Sequence, residues 1–179
     1  MPYVRCPGCD LTTYSVRGEH CPRCDTPLVV PASPSMPETM LDEALALVRR
    51  ELDVDVALIT EVTDHHEVVQ RVHAAVGVAA PEVSLSVPLA ETICERLLSG
   101  RVPPVIGDVR AEPELADVPH VRAGAIGAYL GVPLTTVDAR LYVLCCLSRE
   151  RRPDLGDREY RFLRGVAETI RAALERTPA

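Results

Sequence analysis

Beyond residue 38 the apolar positions of the chain follow two rhythms, one of about 3.6 residues and one of about 2. Leu41, Leu45, Val48 and Leu52 share one helical face and predict a helix over 39–52. Thr39 is placed to cap it, with Asp42 in a weak reciprocal position. Residues 54–62 and 67–76 predict two strands joined by a turn at Asp64, His65 and His66. Leu89, Ile93 and Leu97 put a second helix over 88–99, and Gly100 stands where a left-handed residue ends one. A short strand at 105–108 and a loop with one helical turn at 111–122 follow. Residues 125–135 and 140–148 read as two more strands around a tight turn at Val137, Asp138 and Ala139. Leu163, Val166, Ala167, Ile170 and Leu174 mark a long final helix over 156–176.

The order α-β-β-α-β-(α)-β-β-α predicts an α+β fold, with an antiparallel sheet carrying the terminal helices on one face. The other face lies under the long middle connection, 78–124. The first 30 residues hold too few apolar side chains for a core of their own. Residues 31–38 belong to a Pro- and Ser-rich stretch that predicts a semi-extended linker. The expected organisation is a small unit at 1–30, the linker, and one domain at 39–176.

The N-terminal unit is rich in thiols. Cys6-Pro7-Gly8-Cys9 and Cys21-Pro22-Arg23-Cys24 form two CxxC pairs. Thiolates at this spacing grip one cation from a tight turn, and two such turns complete the tetrahedron of a Zn²⁺ site. A site of four thiolates leaves no position for water, so its role is structural and the cation supplies the segment's folding free energy. Thiol redox chemistry and a disulfide are the alternatives. His20, beside Cys21, reads as an exposed hairpin residue, because four cysteines already suffice. The segment resembles the small zinc ribbons of bacterial and archaeal proteins. Asp10 and Asp25 stand where those carry Gly, and Asp tolerates the positive φ a knuckle needs.

Composition narrows the chemistry. Hydrophobic residues make up 47% of the 179, with no Trp and one Phe, so the core is built from Val, Leu, Ala and Ile. All 19 basic residues are Arg, which excludes a Schiff-base or P-loop lysine. Residues 1–30 balance three Arg against three acids, so the formal charge of -7 falls on the rest of the chain. That disfavours non-specific nucleic-acid binding. Arg149 to Arg164 holds six Arg among four acids and reads as a solvated loop and helix face. No apolar run reaches membrane-spanning length and no signal peptide opens the chain. Together with cysteines arranged for zinc, this predicts a cytoplasmic protein.

Several strings in the larger domain point to a family. They are Glu91-Thr-Ile-Cys94, Pro104-Val-Ile-Gly-Asp108-Val-Arg110, Glu114-Leu-Ala-Asp117, Gly127-Ala-Tyr129-Leu-Gly-Val-Pro-Leu134 and Leu144-Cys145-Cys146. Their order resembles the GAF domain, a sensory relative of PAS domains, over about residues 40–176. The resemblance implies a small-molecule or redox sensor, commonly dimeric through its terminal helices, with a ligand cavity between sheet and middle connection. Family members bind cyclic nucleotides, bilins, haem, iron or small metabolites, and some bind nothing; fold does not choose among these. The usual "GtLCvld" strand reads Tyr142-Val-Leu-Cys145-Cys146-Leu here, and no cyclic-nucleotide signature stands out.

Cys94, Asp108 and Tyr129 border the region where GAF cavities lie and are the expected pocket residues. Each has a plainer role: Cys94 as a small buried hydrophobe, Asp108 as a turn cap, Tyr129 as sheet filling. Arg110 and Arg122, near the same region, can pair with neighbouring acids. Cys145 and Cys146 are consecutive on a strand, so at most one of them faces the cavity. His65-His66-Glu67 fails as a zinc-protease motif at its second His. His73 shares a face with Arg71, and His120 is placed for a pocket mouth or an ordinary loop.

The expectation is a zinc-binding regulatory protein, not an enzyme. Its GAF-like domain would sense a small molecule of unknown identity or form a homodimer, and its ribbon would meet a protein partner. One alternative is a thiol redox sensor or a protein like the free methionine sulfoxide reductases, which share the GAF fold and use cavity cysteines. The other is a transcription-associated regulator that contacts nucleic acid through the ribbon.

Overall fold

The computed structural model describes residues 3–5, 9, 12–14, 24, 26 and 36–175. The chain divides into two compact units, Met1–Ser35 and Met36–Ala179. In the first, strands β1 (Tyr3–Arg5) and β2 (Thr12–Tyr14) pair antiparallel with Tyr3 opposite Tyr14. In sequence, the connection between them holds the first CxxC pair. Cys9 is half-buried and Cys24 is exposed, with its Sγ 3.1 Å from the Thr26 hydroxyl. Cys6 and Cys21 of the expected zinc site lie outside the described residues.

The second unit opens with helix α1 (Met36–Glu51), which starts ahead of the expected boundary. Thr39 therefore lies inside the helix rather than capping it. Pro37 makes the earlier start possible. In a first turn its missing N–H would have been unpaired anyway, and its fixed φ suits a helix. The expected stripe of Leu41, Leu45, Val48 and Leu52 is buried throughout.

Six strands follow: β3 (Val56–Val62), β4 (His66–Ala74), β5 (Ser86–Pro88), β6 (Val105–Ile106), β7 (Ala128–Thr135) and β8 (Leu141–Ser148). They form one antiparallel sheet in the order β5-β4-β3-β8-β7-β6. The expected helix at 88–99 is shorter and is preceded by a strand. Pro88 ends edge strand β5, where a residue without an N–H is tolerated. A 3-10 turn (Leu89–Glu91) then leads to α2 (Ile93–Leu98). Thr92 caps α2, its hydroxyl accepting the Glu95 N–H at 3.2 Å. Gly100, at φ +71, follows the end of α2, and its N–H donates to the Leu97 carbonyl at 3.0 Å.

The sheet separates two cores. On one face, α1 and the final helix α4 (Asp157–Leu174) bury Leu45, Val48, Leu163 and Ile170 against Ile59, Leu130 and Leu144. On the other, α2 and the middle connection bury Ile93, Val109, Leu115 and Val118 against Leu58, Tyr129 and Val143. The connection includes a short helix, α3 (Pro119–Arg122).

Strand β4 is not a plain alternation. Ile59 pairs with Arg71 but Thr60 pairs with Val69, so Gln70 is an extra residue in a bulge. The bulge resets the strand's faces. Glu67 and Val69 on one side of it, and Val72 on the other, all join the second core. Arg71 turns to the helix side, where its guanidinium is 3.9 Å from the Asp42 carboxylate.

Candidate functional site

The second core is incompletely filled. A chamber of about 110 Å³ lies between the sheet and α2. Its walls are mainly apolar, including Leu58, Val69, Leu85, Ile93, Ile126 and Leu147. Exposed His120 belongs to this lining and to that of a neighbouring recess of about 360 Å³. Four polar side chains converge on the chamber: Glu67, Cys94, Tyr129 and Cys145.

Register explains the convergence. On β8, Cys145 stands opposite Leu58 of β3 and Gly131 of β7. Its neighbour Cys146, opposite Ala57 and Leu130, belongs to the helix-side core. Tyr129 lies two residues before Gly131 on the same face of β7. A Cβ at Gly131 would sit 2.3 Å from the Tyr129 phenol oxygen and 2.8 Å from a Leu97 methyl carbon. The ring therefore lies across the strand at the one position with no side chain, which brings its hydroxyl within 3.6 Å of the Cys145 Sγ.

Cys94, from the first turn of α2, completes the group. Its Sγ is 3.3 Å from the Cys145 Sγ and 3.4 Å from the Tyr129 hydroxyl. The Cys94 thiol donates to Glu67 Oε1 at 3.4 Å. Glu67, Cys94, Tyr129 and Cys145 are all buried. Glu67 Oε2 is buried with no hydrogen-bond partner. The hydrogen bond with Cys145, then burial, push the Cys94 thiol well above its ordinary range, and the Glu67 carboxylate adds to this. Burial pushes the Tyr129 phenol up in the same way. Both groups are protonated near neutral pH, so Cys94 and Tyr129 present donors rather than nucleophiles.

The middle connection is held over the chamber by Arg96. Its buried guanidinium donates to the carbonyls of Glu114 (3.2 Å) and Ala90 (3.0 Å), to Asp117 Oδ2 (2.9 Å) and to the Glu95 carboxylate. These bonds tie α2 to the turn that supplies Leu115 and Val118.

Two of the three expected pocket residues, Cys94 and Tyr129, line the chamber. Asp108 does not. Its Oδ1 accepts the Arg110 N–H at 3.1 Å, capping a 3-10 turn, and its other oxygen is 3.7 Å from Arg151. Arg110 and Arg122 are exposed, and His73 is half-buried on the helix side, so none of these lines the chamber. Sequence reasoning missed Glu67 and Arg96. The signal for Glu67 was a carboxylate two residues before Val69 at the start of a strand. Its orientation depended on the bulge at Gln70, which the pattern alone does not reveal.

A family profile described as the GAF domain matches residues 35–175. No curated protein sequence matches the chain. Among solved structures, the phycocyanobilin-bound GAF domain of a cyanobacterial phytochrome superposes with a TM-score of 0.64 at 16% identity, covering 79% of this chain and 85% of that one. The GAF domain of an Acinetobacter phosphoenolpyruvate-protein phosphotransferase gives 0.61 at 16% identity, over 80% and 84%. Free methionine-R-sulfoxide reductase from Neisseria meningitidis, in complex with its substrate, gives 0.58 at 15% identity, over 80% of each chain. At such identities the likeness is one of fold. With the six-stranded sheet, its helix layer and the profile match all covering the same residues, the chain belongs to the GAF domain family over 35–175.

Proposed function

We propose that this is a regulatory protein, not an enzyme, whose GAF domain takes up a small, mostly apolar molecule in the chamber beneath α2. The carrying observation is the meeting of Glu67, Cys94, Tyr129 and Cys145 at a mainly apolar wall. A few convergent polar groups in an apolar recess are the usual make-up of a ligand site. Two structural neighbours are described with a small molecule bound, which supports the same use of the fold. At about 110 Å³ the chamber is smaller than the roughly 300–1,000 Å³ of ordinary ligand pockets, so its occupant is compact. An open-chain tetrapyrrole does not fit the chamber as it stands.

On this reading the N-terminal unit binds one Zn²⁺ through Cys6, Cys9, Cys21 and Cys24 and presents a protein-recognition surface. The donor set suits a closed structural site, and the paired strands β1 and β2 flank the first pair in sequence. The protein works in the cytoplasm, as a homodimer through α1 and α4. No described helix is long and apolar enough to cross a membrane.

Native mass spectrometry of the full chain tests all of this together. It should show a dimer, one ribbon zinc per chain, and added mass from a small molecule carried through purification. A metal-free monomer that binds nothing from a metabolite library would overturn the reading. Changing Cys6 and Cys9 together to Ser should remove the ribbon zinc and leave the GAF domain folded.

The 3.3 Å between Cys94 and Cys145 favours a second reading, a thiol redox sensor. One thiol attacks a hydroperoxide oxygen, giving a sulfenic acid and the alcohol. The other displaces water from the sulfenic sulfur and leaves a disulfide, so two electrons pass from the sulfurs to the broken O–O bond. The free methionine-R-sulfoxide reductase among the neighbours shows the fold hosting sulfur redox chemistry. Intact mass after peroxide treatment should fall by two hydrogens. If Cys145→Ala loses them as well, the reading fails.

A further inference from the structure

We propose that Glu67, Cys94 and Cys145 form a binding site for a borderline-soft divalent cation, zinc above all, with the Tyr129 hydroxyl beside its fourth position. This deepens the chamber reading and rests on it for the site's location. It adds a cation to the polar corner of that chamber, beside the compact molecule the reading places there.

The geometry carries the inference. Zn–S bonds of about 2.3 Å and Zn–O bonds of about 2.0–2.2 Å set tetrahedral donors about 3.3–3.8 Å apart. Cys94 Sγ lies 3.3 Å from Cys145 Sγ, 3.4 Å from Glu67 Oε1 and 3.4 Å from the Tyr129 hydroxyl, and that hydroxyl lies 3.6 Å from Cys145 Sγ. The ligand atoms of Glu67, Cys94 and Cys145 all lie within 4.8 Å of one another. A tetrahedral cation among them requires the two sulfurs to part from 3.3 Å to about 3.8 Å, a shift of a few tenths of an ångström. The donors come from three separate elements, β4, α2 and β8, already fixed by packing.

A second observation is independent of those distances. Glu67 Oε2 is buried and unpartnered, which costs free energy unless something compensates it. A carboxylate next to two thiols, all out of water, is a poor choice for packing and a good one for a metal. Two sulfurs select zinc and similar ions over Mg²⁺ or Ca²⁺, which take all-oxygen sets. Binding exchanges the two thiol protons for the cation, and those protons leave to solvent. Three protein ligands beside a chamber leave a fourth position open, as in zinc sites that hold water or a ligand. The site thus differs in kind from the closed four-thiolate set expected near the N-terminus.

The test uses the reduced full chain, stripped of metal and titrated with Co²⁺, then with Zn²⁺ in competition. Wild type should take up one cation per chain more than Cys145→Ala. The extra cobalt should bring near-ultraviolet thiolate charge-transfer absorption that Zn²⁺ removes. That difference holds whether or not the N-terminal cysteines bind metal. Glu67→Gln, which keeps the packing volume, should weaken the same cation about tenfold or more. Changing Cys6 and Cys9 to Ser should leave it in place. Equal stoichiometry and absorption in wild type, Cys145→Ala and Glu67→Gln would overturn the site. So would a reduced wild-type chamber that forms the Cys94–Cys145 disulfide in air while excess Zn²⁺ gives no protection. A small molecule retained by a protein with no chamber cation would refute this inference alone and leave the chamber reading standing.

Discussion

The Tyr129 ring lies across Gly131, its phenol oxygen 2.3 Å from where a Cβ on that glycine would stand. The tyrosine reaches Cys94 and Cys145 only because residue 131 has no side chain. Gly131→Ala should therefore push the ring off the strand and cost about 1–3 kcal/mol by overpacking. Urea unfolding checks the cost, and a reduced near-ultraviolet tyrosine signal checks the displacement. The companion Gly131→Ala/Tyr129→Phe should recover part of the loss, because the oxygen nearest the new Cβ is gone.

Arg96 braces the roof of the chamber. Arg96→Ala takes the charged donor away from the carbonyls of Glu114 and Ala90 and should cost about 1.5–3 kcal/mol, the net worth of hydrogen bonds to a charged group. The loss should be local. Amide exchange should accelerate over 113–122 and in α2, with little change in β3 and β8. Uniform acceleration would show that the brace is part of the global core.

Asp117 gives this brace a pH dependence. The hydrogen bond from Arg96 holds the Asp117 carboxyl below the usual carboxylate range. A group whose folded pKa is depressed stabilises fully above its unfolded value, about 3.9, and loses that contribution as pH falls through the lower folded value. Protection of 113–122 should therefore decline below about pH 4 in wild type. In Asp117→Asn it should start lower and respond less to acid. The pair is exposed on the aspartate side, so the effect should shrink in high salt.

On the opposite face, Leu45→Ala should cost about 2–5 kcal/mol, since the side chain is completely buried between α1 and the sheet. Ligand or metal uptake in the surviving folded fraction should be unchanged, because the sheet stands between this core and the chamber. Equilibrium unfolding and cobalt titration of the same sample separate the two effects.

The helices and strands of the GAF domain were legible because their apolar residues keep one period each. Leu41 to Leu52 and Leu163 to Ile170 face the sheet as that period requires. Pleat alternation limited the cavity side to one of Cys145 and Cys146, but only the pairing of β8 with β3 and β7 identifies Cys145. The contact of Cys94 with Cys145 joins residues 51 apart in sequence and depends on how α2 docks, which no local pattern records. Glu67 was hidden by the bulge at Gln70, and Arg96 by the rarity of a buried guanidinium among apolar helix residues. Asp108 takes the plainer of the two roles its sequence position offered. A polar residue near the cavity in sequence is spent locally on the Arg110 amide.

Strand β8 places two thiols back to back, Cys145 toward the chamber and Cys146 toward the layer of α1 and α4. One peptide unit joins them. Whatever draws Cys145 toward Cys94 thus tugs on the same stretch of main chain that seats Cys146 among the terminal helices. Were the chamber to take an occupant, a single peptide unit would be all that separates its wall from the far side of the sheet.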